Sequence, residues 1–224
     1  MYALLPMKKN SQRVPNKNIT KINGKPLFFY IADTLKKTKL FEKLVINTDS
    51  DQIVNLSKKR YGNWIIIIKR PKNLVGDGVS MNRIINYDIN KIGNNNDFFQ
   101  THSTNPFLKS STIINAVKKF YTGKRKRSNF SLFSVNELKS RLYDNNLTAI
   151  NHNPLKLKKT QNLHPTFEEN SNFYIFSGNS FIENNNRIGK NCDVYVMNRN
   201  SIETIDIDDK PDLKLTKAIL KYEN

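Results

Sequence analysis

The chain has 224 residues, of which 38% are hydrophobic, which is enough for one sizeable core or two small ones. Its 37 Lys and Arg residues outnumber 19 Asp and Glu, and the resulting net charge of +18 points to an anionic ligand or partner. A single cysteine, Cys192, excludes an internal disulfide and a cysteine zinc cluster, and the longest apolar run, Trp64–Ile68, is too short to cross a bilayer.

The first half of the chain alternates short apolar runs with helical patterns. Strands are predicted at Tyr2–Leu5, Lys43–Asn47, Trp64–Ile68 and Asp97–Gln100. Helices are predicted at Pro26–Lys37, Ser50–Arg60, Ser80–Lys91 and Ser110–Phe120. This alternation indicates βαβ units and a parallel sheet, and the run WIIII predicts a central strand covered on both faces.

The pattern changes after Thr122. The segment Gly123–Asn129, GKRKRSN, reads as a basic hairpin or loop. An antiparallel excursion is then predicted from three short strands, Phe130–Asn136, Arg141–Tyr143 and Leu147–Ile150, before the polar stretch Asn151–Pro165. Further strands are predicted at Phe173–Phe176, Val194–Met197 and Ser201–Ile205, with a final helix at Pro211–Tyr222.

Excess positive charge also suggests a nucleic-acid-binding protein. The lysines are scattered, however, apart from GKRKRSN, and no nucleic-acid-binding motif occurs. Heavy use of Lys, Asn and Ile is typical of a genome poor in G and C. We therefore expect no nucleic-acid partner. We also expect no export, because Met1–Leu5 lacks the basic start of a signal peptide, and a reducing, cytoplasmic compartment fits the cysteine content.

The loop after the first strand carries the most informative chemistry. Within and just beyond LLPMKKNSQRVPNKNI, Leu4–Ile19, are five cationic side chains: Lys8, Lys9, Arg13, Lys17 and Lys21. Ligands of open parallel sheets lie outside the carboxyl ends of the strands, where this loop is expected. Cations, the Ser11 hydroxyl and free backbone amides can hold a polyphosphate. Neither a P-loop nor a GxGxxG motif is present, and charge alone would also fit a solvated basic loop.

Six sequence blocks span nearly the whole chain: ALLPMKKNSQRVPNKNITKINGKPLFFYIADTL, INTDSDQI, KRPKNLVGDGVS, FFQTHSTNPFL, EENSNFYIFS and ETIDIDDKPDL. In this order they resemble the acylneuraminate cytidylyltransferase (CMP-sialic acid synthetase) family, in a divergent sialate-synthetase-like subgroup. The first block differs from the usual family loop, which has Arg where this chain has Lys8 and Lys-Gly where it has Gln12-Arg13.

The resemblance implies an α/β fold with a Rossmann-like, mostly parallel sheet, helices on both faces and a small antiparallel dimerisation arm. The chain is then one cytidylyltransferase domain, 1–224, with the arm at 130–165 reaching a second copy in a homodimer. It also implies an enzyme that transfers CMP from CTP to the anomeric hydroxyl of a nonulosonic or Kdo-type sugar acid and releases pyrophosphate. Basic residues of the arm, such as Lys156, Lys158 and Lys159, would then face the sugar carboxylate of the partner's site.

The resemblance assigns most of the nucleotide contacts to the opening loop. Lys17 and Arg13 are predicted to act on the phosphates in catalysis, and Arg13 supplies a cation from a shifted position. The predicted nucleotide-binding residues are Lys8, Ser11, Asn18, Arg70 and Ser80. Arg70 could alternatively be a solvated residue at the end of its strand. Ser80 could alternatively be the N-cap of the following helix. Asp77 also matches the family pattern, but for this residue we prefer the role of helix cap.

Four residues are predicted to bind the sugar acid. Gln100 and His102 both fit the family's Gln-x-Thr-x-Pro position, because QTHSTNP is two residues longer. Asn170 and Tyr174 match its NGxxY block, with Ser171 in place of Gly, although Tyr174 could equally pack in the core. His152 and His164 are interpreted as loop residues.

Asp206 and Asp208, in IDID, are the predicted metal ligands. Their i, i+2 spacing puts both carboxylates on one side of an extended segment, and Mg²⁺ favours one or two carboxylates together with phosphate oxygens. For Asp209 we prefer the role of cap for the last helix. The competing functions are a nucleotidylyltransferase for another sugar or alcohol phosphate, a basic nucleic-acid-binding protein and a non-catalytic family member.

Overall fold

In a computed structural model, which describes residues 1–222, a seven-stranded sheet with helices on both faces dominates the chain. Its strands are β1 (Tyr2–Leu4), β4 (Leu44–Thr48), β5 (Ile65–Lys69), β6 (Asp97–Thr101), β7 (Phe130–Leu138), β8 (Thr166–Ser177) and β9 (Asn191–Met197). A separate antiparallel pair consists of β2 (Lys21–Ile22) and β3 (Lys25–Pro26). The helices are α1 (Leu27–Thr38), α2 (Asp51–Tyr61), α3 (Met81–Ile92), α4 (Ser110–Lys126), α5 (Gly178–Asn184) and α6 (Lys210–Tyr222).

The strands lie in the order β5-β4-β1-β6-β8-β7-β9. Pairs among β5, β4, β1 and β6 are parallel, as is β7 with β9, whereas β8 runs antiparallel to both of its neighbours. The predicted α/β fold with a mostly parallel sheet is confirmed. Because β1, β4, β5 and β6 are parallel, the loops that follow all four strands meet at one edge of the sheet.

The core has a large layer on each face of the sheet and a smaller third cluster. One layer packs the sheet against α1, α2 and α4, and the other packs it against α3 and α5. The third cluster joins Ile22, Leu27 and Phe107 to Ile207 and Leu220 near the end of the chain. This cluster matters for function, because it fixes the C-terminal segment beside the loop that follows β1.

Two strand predictions outside the arm predicted at 130–165 are wrong. The isoleucines of WIIII lie in an edge strand, β5, rather than a central one, although they contact both core layers. Coverage by helices on both faces produces the continuous apolar pattern without requiring a strand on each side. Residues Ser201–Ile205 are not a strand: Ile202–Thr204 form a 3-10 turn, capped by the Ser201 hydroxyl, which accepts a hydrogen bond from the Glu203 amide at 3.2 Å.

The basic hairpin or loop predicted at Gly123–Asn129 is wrong for residues 123–126, because α4 continues to Lys126; residues 127–129 lie between α4 and β7. Lys and Arg favour helices and complement the dipole at a helix C-terminus. Gly123 permits close packing here: a Cβ at this position would lie 2.3 Å from the ring of Phe130. Gly123 is therefore present because the Phe130 ring leaves no room for a side chain, and not because the chain turns there.

The predicted arm is only partly separate from the sheet. Its first part, Phe130–Leu138, is β7, which pairs with β8 and β9 inside the main sheet. The strands predicted at Arg141–Tyr143 and Leu147–Ile150 are wrong: a single bridge, Tyr143 with Ala149, joins them. The Asp144 carboxylate accepts hydrogen bonds from the backbone amides of residues 146 and 148, so these amides are bonded to a side chain rather than to a neighbouring strand. We call residues 139–165 the outer segment.

None of the helices in the described part of the chain has the length and apolar character of a membrane span.

Candidate active site

The loop after β1 crosses the carboxyl edge of the sheet and lines an open cavity of about 380 Å³. The predicted phosphate and nucleotide residues Lys8, Ser11, Arg13, Lys17, Asn18 and Arg70 all line it. Gly76, Asp77, Val79 and Met81 form the opposite wall. Four cationic side chains therefore face one cavity, as binding of a polyphosphate requires.

Two hydrogen bonds hold the start and end of this loop. The Nδ2 of Asn18 donates to the Lys8 carbonyl oxygen at 2.8 Å, and the hydroxyl of Ser103 donates to Oδ1 of Asn18 at 2.5 Å. Asn18 is buried, so these bonds are shielded from water. Its side chain fixes the shape of the loop and ties it to the segment that follows β6.

Asp77 is not the cap of α3, contrary to the prediction. Ser80 is, since its hydroxyl accepts a hydrogen bond from the Arg83 amide at 3.4 Å. Asp77 instead forms an ion pair with Lys8 and accepts a hydrogen bond from Nε2 of Gln12 at 2.5 Å. These contacts, Lys8 foremost, lower the pKa of the Asp77 carboxyl. Ser80 is exposed and stands beside the cavity wall between Val79 and Met81, so its ligand contact remains a prediction.

Arg70 is held in place by hydrogen bonds that continue to buried polar side chains. Its Nε and Nη2 donate to Oδ1 and to the backbone oxygen of Asn47, at 2.7 and 3.0 Å. The Nδ2 of Asn47 donates in turn to Asp88 at 2.5 Å. Burial lowers the pKa of Arg70 and raises that of Asp88 to about 7. Arg70 is thus a held, partly buried cation rather than a solvated strand-end residue.

The two predicted metal ligands reach the same cavity edge from the far end of the sequence. Ile207 is fully buried in the third core cluster, and its amide donates to the Thr104 carbonyl oxygen at 3.0 Å. Asp206 and Asp208 flank it, so that burial of Ile207 directs both neighbours away from that cluster. Sequence reasoning gave the pair but not this apolar anchor.

Direct contacts join the opening loop to this acidic segment. The Nζ of Lys17 donates to the Ile207 carbonyl oxygen at 2.5 Å, and Nη2 of Arg13 lies 2.8 Å from Oδ1 of Asp208. Burial lowers the pKa of Lys17, opposed by the charges of Asp206 and Asp208. All four predicted catalytic residues therefore lie in one cluster.

The donors present suit a divalent cation shared with a ligand. Burial raises the pKa of Asp206, and its Oδ1 is buried without a hydrogen-bond partner. Across residues 1–222, no three His, Cys, Asp or Glu side chains group closely enough to hold a metal alone. Two carboxylates, one of them with a free buried oxygen, fit Mg²⁺ only if phosphate oxygens and water complete the shell.

Asp209 is the cap of α6, as predicted. Its Oδ1 accepts a hydrogen bond from the Asp212 amide at 3.0 Å, while Oδ2 of Asp212 accepts bonds from the amides of Asp209 and Asp208 at 3.0 and 2.9 Å. This reciprocal arrangement is a capping box. It fixes the backbone directly after the predicted metal ligands.

A second polar cluster adjoins the first at the end of β6. Gln100 and Tyr174 are directly opposed on β6 and β8, and Nε2 of Gln100 lies 3.1 Å from Nε2 of His102. Enclosure of the His102 ring, with Arg187 and Lys17 nearby, lowers its pKa to about 4. His102 is therefore a neutral side chain at pH 7.

Asn170 and Tyr174 lie on either side of an irregularity in β8. Nδ2 of Asn170 donates to Oδ1 of Asn136 at 2.9 Å, and the Tyr174 hydroxyl donates to Glu169. Between them Ser171 has a φ of 56°, a left-handed conformation that favours glycine, the residue usual in the family block. Tyr174 is buried yet hydrogen-bonded through its hydroxyl, so packing and a polar role coexist.

The family model described as Cytidylyltransferase matches residues 2–224. The chain belongs to this family. The match confirms the family predicted from the sequence blocks and the prediction of a nucleotidyltransferase enzyme.

Named relatives extend this result. An N-acylneuraminate cytidylyltransferase of Escherichia coli O18:K1:H7 is 25% identical over 226 residues, which is 100% of this chain and 53% of that protein, so the chain spans about half of that relative. A pseudaminic acid cytidylyltransferase of Campylobacter jejuni is 25% identical over 229 residues, covering 98% of this chain and 95% of the relative.

A solved structure supports the fold. CMP:2-keto-3-deoxy-manno-octonic acid synthetase, solved in complex with CTP, superposes with a TM-score of 0.66 over 99% of this chain and 98% of that one. The sequence identity is 12%, so this likeness concerns the fold alone.

Proposed function

We propose that the protein transfers CMP from CTP to the anomeric hydroxyl of a nonulosonic or Kdo-type sugar acid. The observation that carries this proposal is the meeting of the cationic loop with the acidic segment, through Lys17 to Ile207 and Arg13 to Asp208. Transfer of a nucleotidyl group needs cations around the leaving pyrophosphate and carboxylates to hold a metal ion. Lys17 and Arg13 line the cavity and also contact the acidic segment, so the two sets of groups adjoin each other.

In this reaction the anomeric oxygen forms a bond to the α-phosphorus of CTP. The bond from that phosphorus to the bridging oxygen breaks, pyrophosphate leaves, and the hydroxyl proton passes to solvent. Lys8, Arg13 and Lys17 would neutralise the triphosphate and the departing pyrophosphate. Arg70, fixed by Asn47, would hold the nucleotide on the other side of the cavity.

We infer that Asp206 and Asp208 hold Mg²⁺ together with the triphosphate. When bound, the ion would neutralise phosphate charge and acidify the attacking hydroxyl. The ion pair of Arg13 with Asp208 does not prevent binding of Mg²⁺ and the triphosphate. Both side chains are more than half exposed, and such surface ion pairs contribute about 0–1 kcal/mol to stability. Arg13 can therefore exchange this carboxylate for a phosphate group at little cost in free energy.

We also propose one catalytic domain, 1–224, that forms a homodimer through the outer segment. Three leucines of that segment, Leu147, Leu155 and Leu157, are 81%, 93% and 79% exposed. Exposure of so much apolar surface to water is unfavourable, and a second copy of the chain that covers these side chains would remove it. In such a dimer Lys156, Lys158 and Lys159 would reach the partner's site. A cytoplasmic location is proposed because the single cysteine fits a reducing compartment.

The test is a pyrophosphate-release assay with Mg²⁺. CTP, ATP, GTP and UTP are each combined with N-acetylneuraminic, pseudaminic, legionaminic and 3-deoxy-manno-octulosonic acids, with acceptor-free and EDTA-treated reactions as controls. We expect release with CTP and at least one sugar acid. No release from CTP with any of the four acids, or release only from ATP, GTP or UTP, would overturn the proposal.

A further inference from the structure

Arg187 lies in the loop between α5 and β9, a segment that sequence reasoning did not assign to any site. Its guanidinium carbon is 3.8 Å from the centroid of the Tyr174 ring, and its Nη1 donates to Oε1 of Gln100 at 2.8 Å. Two residues predicted to bind substrate therefore hold this guanidinium in place. A stacked, hydrogen-bonded arginine presents its remaining N–H groups in a fixed geometry.

The charge of Arg187 has no carboxylate partner. Among residues 1–222, no Asp or Glu oxygen lies within 4.0 Å of its guanidinium nitrogens, and its Nε is buried without a hydrogen-bond partner. Glu169 is close enough to favour the charge, but its carboxylate accepts the Tyr174 hydroxyl. Because a partly buried cation without an anion is costly, this position calls for an anionic ligand.

Gln100 joins Arg187 to His102, a histidine on which the charge of Lys17 also acts. Nε2 of Gln100 donates to the Thr101 carbonyl oxygen and lies 3.1 Å from the His102 ring, and its Oε1 accepts from Arg187. The Gln100 amide is thus oriented by bonds at both ends.

We propose that Arg187, positioned by Gln100 and Tyr174, binds the carboxylate of the sugar acid. The inference rests on the proposed function and assigns to a residue of the same chain a role that the sequence suggested for arm lysines of a partner. In a 2-keto-3-deoxy sugar acid the carboxylate is attached to the anomeric carbon. A carboxylate fixed at Arg187 therefore orients the hydroxyl on the adjacent anomeric carbon and selects against neutral sugars.

The test measures how strongly the enzyme prefers the sugar acid to its primary carboxamide. Wild type, Arg187→Met, Arg187→Lys and the exposed control Arg125→Met are assayed for pyrophosphate release with the four sugar acids named above and with the carboxamides of those that react. Losing a charge-assisted hydrogen bond predicts an increase of about 10- to 100-fold in KM for the acid in Arg187→Met. KM for CTP should not change, and Arg187→Lys should recover part of the loss.

The decisive measurement is the preference of each protein for the acid over the carboxamide. Wild type and Arg125→Met should favour the acid, and Arg187→Met should lose most of that preference. The Arg187→Met substitution and the change from carboxylate to carboxamide remove the two halves of one interaction, so their effects should not add. An unchanged preference in Arg187→Met, or a wild type that uses both compounds equally, would overturn the inference alone. A wild type that releases no pyrophosphate from CTP with any acid would instead overturn the proposed function, and the inference with it.

Discussion

Lys17 donates a hydrogen bond from Nζ to the carbonyl oxygen of Ile207 across 2.5 Å, although 190 positions separate them. The bond exists because Ile207 is buried with Ile22 and Leu27, residues that directly follow the opening loop. A small apolar cluster thus brings the cationic opening loop to a carboxylate pair. The predictions below test this arrangement and its supports.

Replacing Lys17 by Met should reduce kcat/KM for CTP by about 10²- to 10³-fold, the usual effect of removing one donor from a preorganised anion site. Lys9→Ala is the matched control, because Lys9 lies in the same loop but is exposed and outside the cavity lining. Steady-state kinetics of both variants provide the measurement. Equal losses in both would mean that loop charge as a whole, rather than Lys17, supports the reaction.

Asp88 should make stability depend on pH. Burial raises its pKa from 3.8 to about 7, so the folded protein binds a proton that the unfolded chain releases between these values. Its contribution to the free energy of unfolding therefore falls as pH rises from about 4 to about 7. In Asp88→Asn, which can still accept the bond from Asn47, this loss disappears. Denaturant unfolding should show the variant gaining stability over wild type at pH 8 but not at pH 4; an equal difference at both pH values would contradict the assignment.

The outer segment should be required for dimer formation. The double variant Leu155→Asp with Leu157→Asp introduces two charges at two of the three most exposed leucines of the segment. We expect sedimentation equilibrium to show a dimer for wild type and a monomer for the variant. Leu215→Asp, on the exposed side of α6, is the control and should remain dimeric. A monomeric wild type, or a double variant that still dimerises, would exclude this interface.

Much of the fold could be predicted because local signals and tertiary packing agree. Ser50 and Asp209 cap helices where the sequence places them, and β1, β4 and β6 appear within a residue or two of their predicted bounds. The errors arise where one pattern fits two structures. An apolar run such as WIIII indicates that helices cover both faces of a strand, but it does not indicate whether the strand is central or at the edge of the sheet. Gly123 is needed because the Phe130 ring packs against it, and not because the chain turns there.

The site was predictable only in part, for a similar reason. Motifs identified the loop residues and the Asp206–Asp208 pair, since these carry characteristic charges at fixed spacing. Asp77 and Arg187 depend on partners far away in sequence: Lys8 lies 69 positions from Asp77, and Gln100 lies 87 positions from Arg187. No local pattern records such contacts. The Ser171 backbone conformation was signalled, because glycine is the usual residue there in the family block.

We infer that a divalent ion joins the triphosphate to Asp206 and Asp208, and calorimetric titration of CTP with and without Mg²⁺ can detect such an ion. Asp206→Asn and Asp208→Asn are compared with Asp209→Asn, which removes one charge from the same segment but keeps the helix cap, because Asn caps as well as Asp. We expect Mg²⁺ to tighten CTP binding in wild type and Asp209→Asn and to have little effect in the other two variants. Equal tightening by Mg²⁺ in all four proteins would contradict it.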